Sequence, residues 1–373
     1  MRINQGRIFI SILLALSMSV FFFGLRGLAW SSVTRTMREA GAASYRGLDR
    51  EAEPPGLMPL LLRGKYAAFR DAARPAFPVP ALAQGYVPQG LVYLEALDCF
   101  ALSYYHPSRG IPSLLAIVDA RSGTHVKSLY LLHAGGGPYT GHAGGLAAWG
   151  RHIWVTSDGR AYRLETEDLR RAADGDFVLF RDDFRVGNRA SVAFCADDTL
   201  WVGEYYAAHM AGQMDPARVD PASGNSAWCA GFPLSEEAPM GVAALRRTGD
   251  APAPVAVLSL QDRVQGLTVG GGGELLLSSS GGVLPASGLW VYPPLKELLR
   301  QPPAYEVELA GGSRPLWVLD PRNALRRLAM PPMSEGIAAY DGRVYVLFES
   351  AAREYRGQAE LTADYVFMME DER

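Results

Sequence analysis

Four residue positions far apart in the chain share a setting that could do chemistry. Gln89 precedes Gly90-Leu91, Gln265 precedes Gly266-Leu267, and Glu335 precedes Gly336-Ile337. His142 lies in the run Gly141-His142-Ala143-Gly144-Gly145. A glutamine amide offers donors and an acceptor, and an imidazole carries a proton near neutral pH. A carboxylate withdrawn from water requires a cation, a donor or a proton. Glu335 and His142 are therefore the candidates for proton transfer. Gln89, Gln265, Glu204, Glu349, Asp158, Tyr105 and Tyr205 are the candidates for gripping a polar ligand, the tyrosines by stacking on a sugar or ring. Each has a plain structural alternative. The glutamines could cap backbone groups, Glu204 and Glu349 could be surface residues at strand ends, and the tyrosine pairs Tyr104-Tyr105 and Tyr205-Tyr206 could pack between sheets.

The elements that must position these residues repeat. Each copy has a small or polar residue, a glycine or small residue with an aliphatic one, a short strand, a Gly/Asp turn, and a second strand rich in aromatic and β-branched residues. The five copies lead from Gln89 to Cys99–Tyr105, from Gly144 to His152–Asp158, from Ala190 to Thr199–Tyr206, from Gln265 to Glu274–Ser280 and from Glu335 to Arg343–Ser350. Their turns, Leu97-Asp98, Gly150-Arg151, Asp197-Asp198, Gly271–Gly273 and Asp341-Gly342, suit short hairpins. Further strand candidates follow each pair: Ser113–Ala120 and Val126–Leu132, Ala161–Leu164 and Phe177–Val186, Ala227–Leu234 and Pro254–Leu260. After the fourth come Gly288–Tyr292 and then Tyr305–Leu309 or Leu316–Leu319. Only Asp364–Met369 follows the fifth. The expected fold class is all-β, a β-propeller of five four-stranded blades over residues 81–373. A strand from about residues 60–80, within a connector spanning 31–80, would close the ring. The rivals are a β-sandwich and a six-bladed ring with a degenerate blade in Leu316–Met330. In a propeller the loops leading into the inner strands and those leaving the second strands open on one face, which would gather the candidate residues there.

Composition bounds the rest. The chain has 373 residues, with 40 Gly and 25 Pro, which suits many short strands joined by turns. A formal net charge of −3 argues for no nucleic-acid partner. The apolar run Ile8–Leu25, preceded by Arg2 and Arg7, predicts an N-terminal hydrophobic helix in residues 1–30. That helix would be a membrane anchor or, if cleaved, a signal peptide. Either places the remainder outside the cytoplasm, on the periplasmic or cell-surface side, or secreted. Cys99, Cys195 and Cys229 form no C-x-x-C pair, and buried free thiols are expected. There is no G-x-S-x-G elbow, H-E-x-x-H pair, Walker loop or dinucleotide fingerprint. A divalent cation such as calcium is an open expectation for the cofactor, with no ligand set assigned.

The strings Tyr86–Leu91, Gly141–Gly145, Trp201–Tyr205 and Pro331–Gly336 resemble a group of bacterial exported or membrane-anchored propeller proteins. That resemblance implies fold and export, and no particular activity. The Gln-Gly-Leu elements also resemble the bacterial and plant type of glutamine cyclotransferase, a five-bladed propeller that converts N-terminal glutamine to pyroglutamate with a channel glutamate. On that likeness Gln89 matches the Gln-Gly-Leu element and Glu335 the glutamate. The order departs from the family, whose glutamate comes early, where this chain has His142 and Gly144. Three functions stay open: binding of a small polar molecule, glycan or peptide at the channel face; an enzyme of cyclotransferase or lactonase type using Glu335 or His142; and a protein-interaction platform with a tyrosine-rich rim.

Overall fold

A computed structural model of the chain describes residues 62–371, apart from 214, 244–250, 310–311 and 360. The hydrophobic run Ile8–Leu25 and most of the connector lie outside these. Among the described residues no helix is long and apolar enough to cross a membrane.

The hairpins form where the turn residues tolerate a left-handed backbone. Asp197 and Asp198 both have positive φ (46° and 52°), as do Asp341 and Gly342 (49° and 69°), which is the geometry that matches the twist of two flanking strands. Asp98, Gly150 and Gly273 make the corresponding bends in the other three copies. All five expected turns therefore connect an inner strand to its neighbour.

Five four-stranded antiparallel blades result. The first blade runs outward through Val87–Leu94, Cys99–Tyr105, Leu114–Asp119 and His125–Leu132. The second comprises Gly145–Trp149, His152–Ser157, Arg160–Glu165 and Asp182–Arg185, and the third Val192–Ala196, Thr199–Gly203, Ala227–Pro233 and Ala256–Leu260. The fourth is Val264–Val269, Glu274–Ser279, Ser287–Pro294 and Arg326–Met330. The fifth has Ser334–Tyr340, Arg343–Phe348 and Tyr365–Glu370, and its outer strand is Arg74–Pro78 from the N-terminal side. Each inner strand touches the inner strands of two other blades, in a cycle that returns from the fifth to the first. The protein is a five-bladed β-propeller, and Leu316–Met330 builds no sixth blade.

The repeated glycines mark where those inner strands meet. A Cβ on Gly145 would lie 2.5 Å from the Ala193 nitrogen of the next blade, and one on Gly336 only 2.4 Å from the Leu91 nitrogen across the ring closure. Side-chain hydroxyls of the second strands tie the same junctions: Ser103 donates to the Ala143 carbonyl (2.7 Å) and Ser278 to the Glu335 carbonyl (2.6 Å). Between blades the apolar faces interlock, with Trp154, Trp201, Phe100, Phe184 and Phe232 fully buried. Phe69, on the helix Ala67–Ala72, packs against Phe348 and Phe367 beside the closing strand.

Three strands are placed differently from the local pattern. Phe177–Val186 is two strands: Phe177–Leu179 runs parallel to the outer strand of the first blade, and Asp182–Arg185 completes the second. Tyr305–Leu309 and Gly312–Leu319 do not complete the fourth blade. Gly312–Leu319 pairs in parallel with Ala256–Leu260 and carries Tyr305–Leu309 outside it, so the third sheet has six strands. Parallel pairing needs a long crossover, which the first three strands of the fourth blade supply, and the reward is burial of Trp317 and Leu319 beside Leu258 and Leu260. Cys195 and Cys229 stand on strands separated by Thr199–Gly203, and all three cysteines are free thiols.

Candidate functional site

The inner strands of the first, fourth and fifth blades each carry a β-bulge, and it falls on the candidate residue. Pairing slips between Pro88 and Leu91, between Val264 and Gly266, and between Ser334 and Ile337. A bulge leaves one residue out of the ladder and re-aims its side chain. The residues so displaced are Gln89, Gln265 and Glu335, each followed by the glycine that lets the next blade approach. The inner strands of the second and third blades are regular. In blades two to five the chain reaches the inner strand through a non-glycine residue of positive φ: Ala143, Ala190, Arg263 and Met333. Such strained positions recur where a fold holds side chains for function.

These features open into a cavity of about 600 Å³ at the axis. Gln89, Tyr105, His142, Asp158, Tyr205, Gln265, Glu335 and Glu349 all line it. Glu335 and Glu349 lie close enough to act on each other side chain to side chain, an arrangement that favours a proton staying on one of them. Burial, with the second carboxyl next in effect, holds Glu335 well above the usual carboxylate range. Burial also lifts Glu349 to about 7, against the opposing help of Gln89 and Glu335. Each acid is clamped by an amide: Gln265 Nε2 donates to Glu335 Oε1 (2.7 Å) and Gln89 Nε2 to Glu349 Oε2 (3.0 Å). The first, fourth and fifth blades thus meet at the acid pair.

Aromatic rings form the adjoining wall. Tyr105 stacks on His142 at 4.4 Å between centroids, and its hydroxyl pairs with that of Tyr355 at 3.1 Å. Burial raises both tyrosines, Tyr355 to about 12, so both are neutral near pH 7. His142 keeps an edge open to solvent at the mouth. Desolvation by its neighbours lowers its pKa, partly opposed by Asp158, so the ring is uncharged at neutral pH. Asp158 sits exposed at the rim, accepting from Ser157 Oγ at 2.9 Å.

Glu204 is not part of this constellation. It is buried beside the axial cavity, against a smaller one of about 300 Å³. Its carboxylate is taken up by Arg218 Nη1 (2.8 Å), the Trp228 amide (3.1 Å) and the Arg189 amide (3.2 Å). Arg218 also lies over the Trp228 ring. Of the four paired tyrosines, Tyr104 and Tyr206 are buried in the packing, while Tyr105 and Tyr205 reach the cavity. The sequence places Asn188–Ser191, and so Arg189, at the channel entry, but it gives no signal for Tyr355 or Met210 as cavity residues; Met210 lies in the short 3-10 helix Ala208–Gln213 of the inserted segment. Among the described residues no three of His, Cys, Asp and Glu come together as a metal-ion site, so the calcium expectation has no donor cluster behind it.

No protein-family model and no curated protein matches the chain. Solved structures do. Glutaminyl cyclase from Myxococcus xanthus is 12% identical with a TM-score of 0.41, over 80% of this chain and 94% of that one. The PQQ-bound aldose sugar dehydrogenase from Streptomyces coelicolor is 14% identical with a TM-score of 0.40, over 80% and 96%. Both likenesses are distant.

Proposed function

We propose that the chain is an extracytoplasmic propeller whose axial cavity binds a small polar molecule, with the Glu335–Glu349 pair as its recognition element. What supports this is the pair itself. Two acids are gathered from one blade, clamped by glutamines from two others, and set against a cavity of ligand size. A fold has little need to place two carboxyls together away from bulk water, because like groups there cost stability unless a proton or partner relieves them. The apolar run Ile8–Leu25 supports export and attachment to a membrane.

A second reading, catalysis by proton transfer, is favoured by Glu349, whose carboxyl titrates at about 7, where an acid–base group is most effective. The experiment for both uses the full chain in mild detergent, followed by tryptophan fluorescence on heating. Small polar compounds are screened for a rise in melting temperature, with Glu349→Ala and Tyr105→Ala as controls, and any that bind are then checked for turnover. Protection that disappears in both variants supports the pocket. Protection retained in both places the ligand elsewhere and overturns the site. Proteolysis of the chain in intact cells and spheroplasts tests the topology: digestion only after the outer barrier is opened fits a periplasmic domain.

A further inference from the structure

We infer that the ligand is a small organic cation, a protonated amine or a guanidinium, which takes the place of the proton shared by Glu335 and Glu349. This rests on the binding role proposed for the cavity and names the ligand class. Several hydrogen-bond donors lining the cavity are engaged within the protein. Gln89 spends its amide hydrogens on the Pro88 carbonyl and Glu349, and Gln265 donates to Glu335. Asn188 directs its NH₂ to the carbonyls of Val202 (2.7 Å) and Trp228 (3.3 Å). Ser157 donates to Asp158, and the Tyr105 and Tyr355 hydroxyls bond to each other. These donors are spent within the protein, while Tyr205, Ser191, His142 and Arg189 also line the cavity and bring donors of their own. What the cavity floor presents is chiefly acceptor oxygen, and that surface is complementary to a molecule rich in N–H groups.

Charge and surface favour a cation as well. The acid pair carries one negative charge once Glu349 is ionised and Glu335 keeps its proton, Asp158 adds another at the rim, and Glu354 acts on Glu349 from the same loop. The cations nearby are Arg189, on the border with the smaller cavity beside Glu204, and Arg263, beside Gly281 and near Tyr205 and Asp262. Neither is bonded to the acid pair. The remaining titratable neighbours, Tyr105, Tyr205, Tyr355 and His142, are neutral rings whose faces attract a cation. An anion would meet the acid pair at the floor, whereas a cation meets carboxylate and π-faces together.

The exchange balances. The O–H bond of the shared proton breaks, the proton leaves to buffer, and N–H groups of the incoming cation bond to both carboxylates. Where Glu349 is already ionised, one cation enters and one proton departs, so affinity should rise about tenfold per pH unit; below about pH 7 the Glu349 proton leaves as well and the rise is steeper.

The test is calorimetric titration of the full chain with 1,4-diaminobutane and methylguanidinium, and with 1,4-butanediol and glucose as uncharged probes. Measurements at pH 6 and 7.5, in buffers of different ionisation heat, count the protons released. The expected result is that a cation binds, the diol and the sugar do not, and close to one proton appears per cation at pH 7.5 and more than one at pH 6. In Glu335→Gln only the Glu349 proton is left to surrender, so the release at pH 7.5 should fall close to zero and the pH dependence should flatten above about pH 7. If the cations bind without proton release, or bind equally in Glu335→Gln and Glu349→Gln, the inference is overturned. If only the uncharged probes bind, with loss in the Glu349 variant, the cation inference falls and the binding role stands. If no probe of either kind binds, the cation inference falls here too, and the binding role then rests on the wider screen of polar compounds.

Discussion

Replacing Glu335 by glutamine should make the protein more stable than the parent, and increasingly so as pH rises. Glu335 is 2% exposed, and its carboxyl is held well above its ordinary value of 4.5. An acid whose pKa is raised by folding contributes a proton-linked stability that is complete below the unfolded value and lost as pH climbs towards the folded one. Over that interval the loss is about 1.4 kcal/mol per pH unit. Glutamine mimics the protonated acid: its oxygen can accept from Gln265 and its NH₂ can donate to Glu349, with nothing to ionise. The difference between variant and parent should therefore widen from pH 5 to pH 7 by at most about 3 kcal/mol. Water in the cavity softens the desolvation, so a widening of about 1–3 kcal/mol is expected, seen as roughly 2–6 °C in melting temperature for a domain of this size. The assay is thermal unfolding of the full chain and of Glu335→Gln at pH 5, 6, 7 and 8, read by tryptophan fluorescence. A constant offset across that range would refute the shared proton, as would a parent that gains on the variant with pH.

Other expectations follow from single contacts. Gly336→Ala forces a methyl to within 2.4 Å of the Leu91 nitrogen at the ring closure, where backbone cannot yield, and should cost about 1–3 kcal/mol by thermal unfolding. Removing residues 1–79 deletes the outer strand Arg74–Pro78 and exposes the edge of Tyr365–Glu370; light scattering on warming should show aggregation well below the parent melting temperature. Glu204→Gln breaks the buried pair with Arg218 and should lower stability by about 3 kcal/mol while leaving ligand affinity at the axial cavity within a few-fold, measured by unfolding and titration calorimetry. Tyr105→Phe loses one hydroxyl pair with Tyr355 and should cost no more than about 1 kcal/mol in unfolding, since the stack on His142 is kept.

How much of the fold and the site is legible in the amino-acid sequence depends on which constraints act locally. The glycine-led tripeptides stand out because five inner strands crowd one axis: at Gly90, Gly145, Gly266 and Gly336 a side chain would collide with the neighbouring blade. The same crowding explains why the residue before the glycine matters at Gln89, Gln265 and Glu335, since a bulge there turns it out of the ladder and into the cavity. Strand ends are a weaker guide. The rule that a second strand ends at the cavity holds for Tyr105, Asp158 and Glu349 but fails for Glu204, because the inserted segment after it folds Arg218 back onto the carboxylate. Gly312–Leu319 has the composition of a strand for any blade, and only the apolar surface left beside Ala256–Leu260 decides its partner. The shared proton lies furthest from view. Neither Glu335 nor Glu349 is unusual alone. Their chemistry arises because Glu349 leaves the second strand of the same blade whose inner strand bulges at Glu335, so one hairpin folds two acids onto each other while its neighbours supply the glutamines. A site built this way is a property of the hairpin's register. A substitution that slid this hairpin by one residue would separate the acids and abolish the proton linkage without altering either of them.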